Sequence, residues 1–317
     1  MEMSDTIFIG ISSYRDPLLA HTIKSALDHA KYPERLRFGI VEQEVLEHRI
    51  NPSAFFGADL TYVAIDPAAS RGACWARSIQ MSLYNDEDWV FQIDSHSVFD
   101  KDWDEYFVEM CKILRMTNPK VVISGYPKGF EFKDGRSLRH YDDNNVIVHA
   151  CSDDTSFENG PILNIPPRGS ELKVPVKGFY IGAQTMFAPG RFLYEVPYDP
   201  YLYFNGEEHS LAVRAFTHGW DVYHCPGMPI YHLYEGGDKD SYRKKHWSDG
   251  ENEDRKVKWG SLDMRSKMRL ADMLFHGKDV GQFGLGNVRT LEQFAEFSGI
   301  DYKNKTIHEK ARKGIWE

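Results

Sequence analysis

The first 124 residues alternate between two apolar periods, and no other feature constrains the fold as much. Short runs rich in β-branched and aromatic residues read as strands: 6–12 (TIFIGIS), 36–41, 61–65, 89–93 and 121–124. Between them the apolar residues fall three and four apart. Residues 17–31 carry Leu19, Ile23, Ala26, Leu27 and Ala30 on one face, with Pro17 near the start. Residues 72–83 read as a second helix. Residues 103–114 make a third, with Trp103, Tyr106, Phe107, Met110, Ile113 and Leu114 on one stripe. Strands separated by helices pair in parallel, so the pattern predicts an α/β fold with a Rossmann-like, mostly parallel sheet flanked by helices.

Such sheets place ligands at the carboxyl ends of their strands. Two polar stretches fall there, SSYRD (12–16) and DSH (94–96). The second completes FQIDSH, an apolar strand that stops on a carboxylate and an imidazole without Gly or Pro. In a strand, residues i and i+2 point to one side. If that geometry persists, Asp94 and His96 can share a cation while Ser95 points away. One carboxylate and one imidazole suit Mn²⁺ or another first-row metal better than Ca²⁺. A third ligand is needed, and His232 in PIYHLY again ends an apolar segment. His209, His218 and His224 have less suitable contexts; His218 precedes Gly219 at a helix end, where a cation is favoured anyway. Spacing alone leaves open a plain alternative, a strand end with two hydrogen-bonded polar groups.

Periodicity fades over 127–175 under Pro, Gly, Asp and Asn, which predicts a long substrate-facing loop or small subdomain. It returns over 176–187. The charged stretch 235–256 reads as mobile. Helices are expected at 208–217, 261–275 and 290–297, the last with a Thr290/Gln293 capping box. NGEEHS (205–210) sets Glu207 and Glu208 at a helix start, where acids are favoured by the dipole alone. Tyr201, Tyr203 and Phe204 just upstream are either core residues or a stacking surface for a sugar.

The net charge of −9 argues against a broad phosphate-backbone partner. No apolar stretch has the length of a membrane span, and the N-terminus has no signal-peptide pattern. Cys74, Cys111, Cys151 and Cys225 are scattered without CxxC spacing, against a disulfide framework or Cys-based zinc site. A reduced, cytoplasmic protein is the expectation.

The order of motifs carries a resemblance. SSYRDP, RGACWARSIQ, DWVFQIDSH, VKGFYIGAQTMFAP, PYDPYLYFNGEEHSLAVRAFTHGWDVY, PIYHLY and GLGNVRTLEQFAEFSGID follow one another. Together they resemble the cytoplasmic N-acetylglucosaminyltransferases whose eukaryotic members modify hydroxyproline on a ubiquitin-ligase adaptor. The likeness spans most of the chain and is thinnest over 128–175. The central block is also similar to the polypeptide N-acetylgalactosaminyltransferases.

The resemblance implies a GT-A glycosyltransferase fold over residues 1–260, with 127–175 as a variable acceptor-side excursion and 261–317 as a helical C-terminal extension. It implies that Asp94, His96 and His232 bind Mn²⁺ or Mg²⁺, which holds the diphosphate of a UDP-sugar, UDP-GlcNAc above others. Ser12, Ser13, Tyr14 and Arg15 would lie near the nucleoside. Arg71 and Arg77, with Asp94 and Ser95, would reach donor phosphate or sugar; otherwise the two arginines are solvated or salt-bridged. Glu207, Glu208 and Asp199 would meet the sugar or the acceptor. The implied acceptor is a hydroxyl, on a protein or glycan rather than a nucleic acid, with hydroxyproline as the family's example. Relatives retain anomeric configuration, and no dedicated nucleophile stands out. A front-face reaction, in which the leaving diphosphate helps deprotonate the acceptor, is therefore expected. Competing readings are a transferase acting on a glycan or modified nucleic-acid base, a nucleotide-sugar-binding module without activity, and a metallohydrolase.

Overall fold

A computed structural model describes residues 5–133, 136–139, 144–234 and 243–314. Its first elements follow the apolar alternation: β1 (Ile7–Tyr14), α1 (Leu19–His29), β2 (Leu36–Gln43), β3 (Asp59–Ile65), α2 (Ala73–Met81) and β4 (Trp89–Asp94). Strands β3, β2, β1 and β4 lie side by side in that order, all parallel, and Ser12 sits level with Asp94. Helices cover both faces of this half-sheet, so β1 and β4 are buried along nearly their whole length.

The chain continues through β5 (Ser97–Phe99), α3 (Trp103–Arg115), β6 (Val121–Ser124), β7 (Lys128–Lys133), β8 (Arg136–Arg139), β9 (Ile147–His149), β10 (Pro167–Gly169), β11 (Val176–Gly178) and β12 (Thr185–Pro189). After these come α4 (Phe192–Glu195), α5 (Glu207–Thr217), β13 (Asp221–His224), β14 (Ile230–His232), α6 (Trp259–Leu274), α7 (Leu291–Ser298) and a short terminal helix, Glu309–Lys313. The main sheet has 8 strands in the order β11-β13-β6-β12-β4-β1-β2-β3. β12 lies antiparallel between β4 and β6. It can, because the chain reaches it from the long excursion rather than through a crossover helix. A smaller sheet, β5-β14-β7-β8, lies beyond the end of β4.

Excursion 127–175 holds more structure than its punctuation suggested. Its described part forms the β7–β8 hairpin and the β9–β10 ladder, and Cys151, Phe157, Leu163 and Ile165 enter the core. Its apolar residues arrive singly between turns, so no period of 2 or 3.6 reveals them.

Two apolar layers enclose the main sheet. Under α1 and α3, Phe91 packs on Trp103, Phe107 and Phe187 with ring centroids 5.5, 4.6 and 5.7 Å away. Each fully buried ring of this kind contributes roughly 1.5–3 kcal/mol. On the other face Phe8, Val90 and Leu211 share one cluster with Leu270, Met273, Phe294 and Tyr302, so the C-terminal helices are built into the same core. The Thr290 capping box forms as the sequence predicts: Thr290 Oγ1 accepts from the Gln293 amide at 3.2 Å, and the Thr290 amide donates to Gln293 Oε1 at 2.9 Å. No helix among the described residues is long and apolar enough to cross a membrane.

Candidate active site

Strand geometry does not persist through the Asp-Ser-His motif. β4 ends at Asp94, and Ser95 and His96 form a bend that carries the chain from the large sheet into the small one. Asp94 and His96 therefore meet across a bend rather than along a pleat. The same bend recruits His232. β5 pairs antiparallel with β14, which sets His232 opposite Ser97, and the Leu233 amide donates to the His96 carbonyl at 3.0 Å. Across 138 positions of chain, His232 Nε2 comes to 3.2 Å from Asp94 Oδ2. His96 Nε2 lies 3.8 Å from the same oxygen, and the two imidazole rings are 4.4 Å apart. One ligand atom from each of Asp94, His96 and His232 falls within 4.8 Å of the others.

Asp16 organises this cluster, and the sequence reading passed over it. Its Oδ2 accepts from Ser95 Oγ at 2.7 Å and meets His96 Nδ1 at 2.6 Å. An ionised carboxylate only accepts, so Nδ1 donates and Nε2 is left turned toward Asp94. Against burial, the His96 hydrogen bond and charge, the Leu18 amide and Ser95 hold the Asp16 carboxyl below its usual range. Asp94 behaves likewise: against burial, the His232 hydrogen bond and the Arg77 guanidinium hold it well below the ordinary carboxylate range. Burial lowers His232 to about 4, which leaves a neutral imidazole, the form a metal requires. Among the described residues, the buried His232 Nδ1 has no hydrogen-bond partner. One ionised carboxylate and two imidazoles, one of them oriented by a second carboxylate, form a donor set that fits a first-row divalent cation.

This cluster lines a cleft of about 330 Å³. Alternation along β1 turns Ser12 and Tyr14 toward it. Ser13 and Arg15, grouped with them near the nucleoside by the resemblance, do not line the cleft. Ser13 is fully buried and offers its carbonyl to Gln43 Nε2 at 3.0 Å. Arg15 grips Asp249 at 3.0 Å and Glu251 at 2.6 Å. That grip fastens the segment expected to be mobile. Residues 235–242 lie outside the described residues, but 243–256 pack against the first strand end. Tyr14 OH donates to Asp249 at 2.7 Å, Arg255 donates to Tyr14 OH at 2.8 Å, and Tyr203 OH meets His246 Nδ1 at 2.8 Å. The segment brings Arg243, Lys244, Lys245 and Trp247 to the cleft. Its sequence signal was a run of three cations followed by His-Trp, inside the charged stretch that read as mobile.

On the opposite wall, Gly72 adopts φ +98° at the start of α2, and a Cβ there would lie 2.6 Å from the Tyr203 ring. Tyr203 and Phe204 line the cleft, whereas Tyr201 does not. Arg77 lines it too, but its donors are engaged: Nη1 bonds Glu207 at 2.7 Å and Nη2 bonds Asp94 at 3.0 Å. Glu207 also accepts from Tyr198 OH at 3.0 Å. Burial, opposed by Arg77 and reinforced by the neighbouring Glu208, pushes Glu207 up to about 8. Burial raises Glu208 as well, against donors from the Ala183 amide at 2.8 Å, from Tyr180 OH and from Tyr126 OH at 2.9 Å. Neither carboxylate lines the cleft; Arg77 and Tyr126, which do, hold them from behind.

Two further residues of the expected site lie off the cleft lining. Asp199 bonds Arg269 at 2.6 Å and the Tyr201 amide at 3.0 Å, so it ties a loop to α6 away from the cleft. Arg71 is exposed beside Trp75 and lines a separate groove. The lesser histidines also lie elsewhere: His209 against Tyr302, His218 on the Arg214 carbonyl and His224 on the Ser124 carbonyl.

The architecture and its similarity to solved structures define a GT-A glycosyltransferase fold. GalNAc-T7, crystallised with UDP, GalNAc and Mn²⁺, aligns with TM-score 0.57 and 11% identity over 92% of this chain and 54% of that one. This chain thus spans about half the length of that structure. The structure of S. aureus TarS 1–349 aligns with TM-score 0.45 and 9% identity, over 84% of this chain and 72% of that one. The model of the glycosyltransferase (GlcNAc) family matches residues 6–53 and 44–304, and the chain belongs to that family. A search of curated proteins finds no match.

Proposed function

We propose that this chain is a metal-dependent, configuration-retaining transferase that moves GlcNAc from UDP-GlcNAc to a hydroxyl group. The observation that carries the reading is the Asp94/His96/His232 cluster, with ligand atoms within 4.8 Å of one another on the wall of an aromatic and basic cleft. The UDP and Mn²⁺ bound by GalNAc-T7 support it. Asp94, His96 and His232 would hold Mn²⁺ or Mg²⁺, which neutralises the charge that builds on a leaving diphosphate.

The chain's own residues do the rest. Arg243, Lys244 and Lys245 bring positive charge to the diphosphate, and Tyr203, Phe204 and Trp247 offer flat faces to the base or sugar. Ser12 and Tyr14 are suited to the nucleoside end, and Ser95 to a donor oxygen. Asp94 is the only carboxylate lining the cleft among the described residues. That favours a front-face reaction without an enzyme nucleophile. The acceptor oxygen bonds to the anomeric carbon as the carbon–phosphate-oxygen bond breaks, and the acceptor proton passes to the departing diphosphate. Glu207 and Glu208 shape the site through Arg77 and Tyr126 rather than by touching substrate.

The acceptor is a protein hydroxyl, with hydroxyproline as the leading candidate, entering past the 127–175 excursion. Support for that side comes from β7, which pairs with β14 and sets Gly129 beside His232. Residues 1–260 would carry the chemistry and 261–317 would buttress them. Four free, buried cysteines accord with a cytoplasmic setting.

Incubation with Mn²⁺ and a panel of UDP-sugars tests this, with hydroxyproline peptides or glycans present or absent. UDP release should favour UDP-GlcNAc, rise with acceptor and stop on chelation with EDTA. Absence of release and of binding for every nucleotide sugar would refute it.

A further inference from the structure

A second concavity, of about 640 Å³, opens on the far side of the wall that holds Gly72 and Tyr203. The two recesses share their backbone. Gly72, Ala73, Tyr203 and Phe204 face the cleft, while Arg71, Trp75, Pro200 and Tyr201 face the groove. Helix α6 closes its other side with Leu262, Arg265 and Arg269, residues spaced to lie along one helix face.

The groove's chemistry is selective. It gathers three arginines on a chain of net charge −9, and no carboxylate lines it among the described residues. Arg269 is held by Asp199 and lies over the Tyr201 ring at 5.0 Å. Arg71 has a ring contact, with Trp75, but no ion pair, and Arg265 has none either among the described residues. Tyr201 is 66% exposed and presents its ring to the groove. Guanidinium groups pair with carboxylates through two parallel hydrogen bonds, a geometry that Lys cannot reproduce.

The floor decides between ligand classes. Pro200, Val257 and Leu262 offer apolar area that suits peptide side chains. A glycan or a nucleic-acid backbone would leave that area uncovered, and the overall negative charge repels the latter. We propose that the groove binds an acidic segment of an acceptor polypeptide, holding it beside the cleft while its hydroxyl enters. This rests on the transferase reading above, and it assigns that reading's acceptor to acidic protein segments.

The test is fluorescence anisotropy with the full chain and a fluorescein-labelled peptide in which Glu alternates with Leu and Pro. A second peptide carries Lys in place of each Glu, and a labelled oligothymidylate provides a third arm. The acidic peptide should bind best, and its affinity should fall with added salt. The double variant Arg71→Glu/Arg265→Glu should weaken it about 10-fold or more, and Arg71→Lys/Arg265→Lys less. Both positions are surface-facing, and circular dichroism checks that each variant is folded. Equal binding by wild type and the double Glu variant overturns the proposal. So does no binding of the acidic peptide, equal binding of the Lys peptide, or tighter binding of the oligonucleotide. Calorimetry with UDP on the same samples separates the two readings. UDP binding without peptide binding rejects the groove alone; peptide binding that the double Glu variant loses, without UDP binding, rejects the donor reading alone.

Discussion

Two carboxylate clusters share one arginine, Arg77, and differ in what they face. Asp94 faces a cleft, with two imidazoles turned toward it and its side chain 19% exposed. Glu207 and Glu208 stand at a helix start behind that cleft, each held by donors of the fold itself. Asp94 stays ionised because His232 and Arg77 overcome its burial, whereas burial wins at the two glutamates. Residue type therefore does not mark the acid that stays ionised; what surrounds it does. Arg77 joins the clusters, with one hand on each.

Breaking that joint should have the largest effect. Arg77→Met leaves Asp94 without its guanidinium counter-charge and Glu207 without a buried donor, and should cost about 3–5 kcal/mol. Urea unfolding measures this; a midpoint unchanged from wild type would mean that the clusters are independent. Asp94→Ala attacks the open cluster alone. Even a partner one step removed from a metal is worth about 10–100-fold, so turnover here should fall more than about 100-fold. Asp16→Asn sharpens the comparison. It keeps the shape but weakens the hold on His96, so Mn²⁺ affinity by titration should drop about 10–100-fold while the melting temperature moves little. Glu208→Gln should be mildest, lowering turnover less than about 10-fold, within what a single neutral hydrogen bond is worth. Total loss of turnover with donor binding intact would instead make Glu208 a direct participant.

The same contrast explains what could be read from the chain. The parallel half of the sheet was legible because burial on both faces writes itself as continuous apolar runs, and β4 was off by only its last residue. His232 was legible as a polar residue closing an apolar segment. Its approach to Asp94 was not, since the β5–β14 ladder spans more than a hundred residues that local spacing cannot see. Arg15, Arg77 and Asp199 were expected near substrate because the resemblance implies it, with a salt bridge left open for Arg77. Their ion pairs, with Asp249, Glu207 and Arg269, are all long-range. Asp16 was hidden for a related reason: it sits in a motif whose first residues attracted attention, and its partners arrive from the bend that follows β4.

Whether Asp94, His96 and His232 share one cation is tested most directly by electron paramagnetic resonance titration of Mn²⁺ in the presence of UDP. Wild type and His232→Ala should be compared at matched protein concentration. The arrangement predicts one tightly bound Mn²⁺ per wild-type chain and a large loss of affinity in the variant. Undiminished binding by His232→Ala would contradict it.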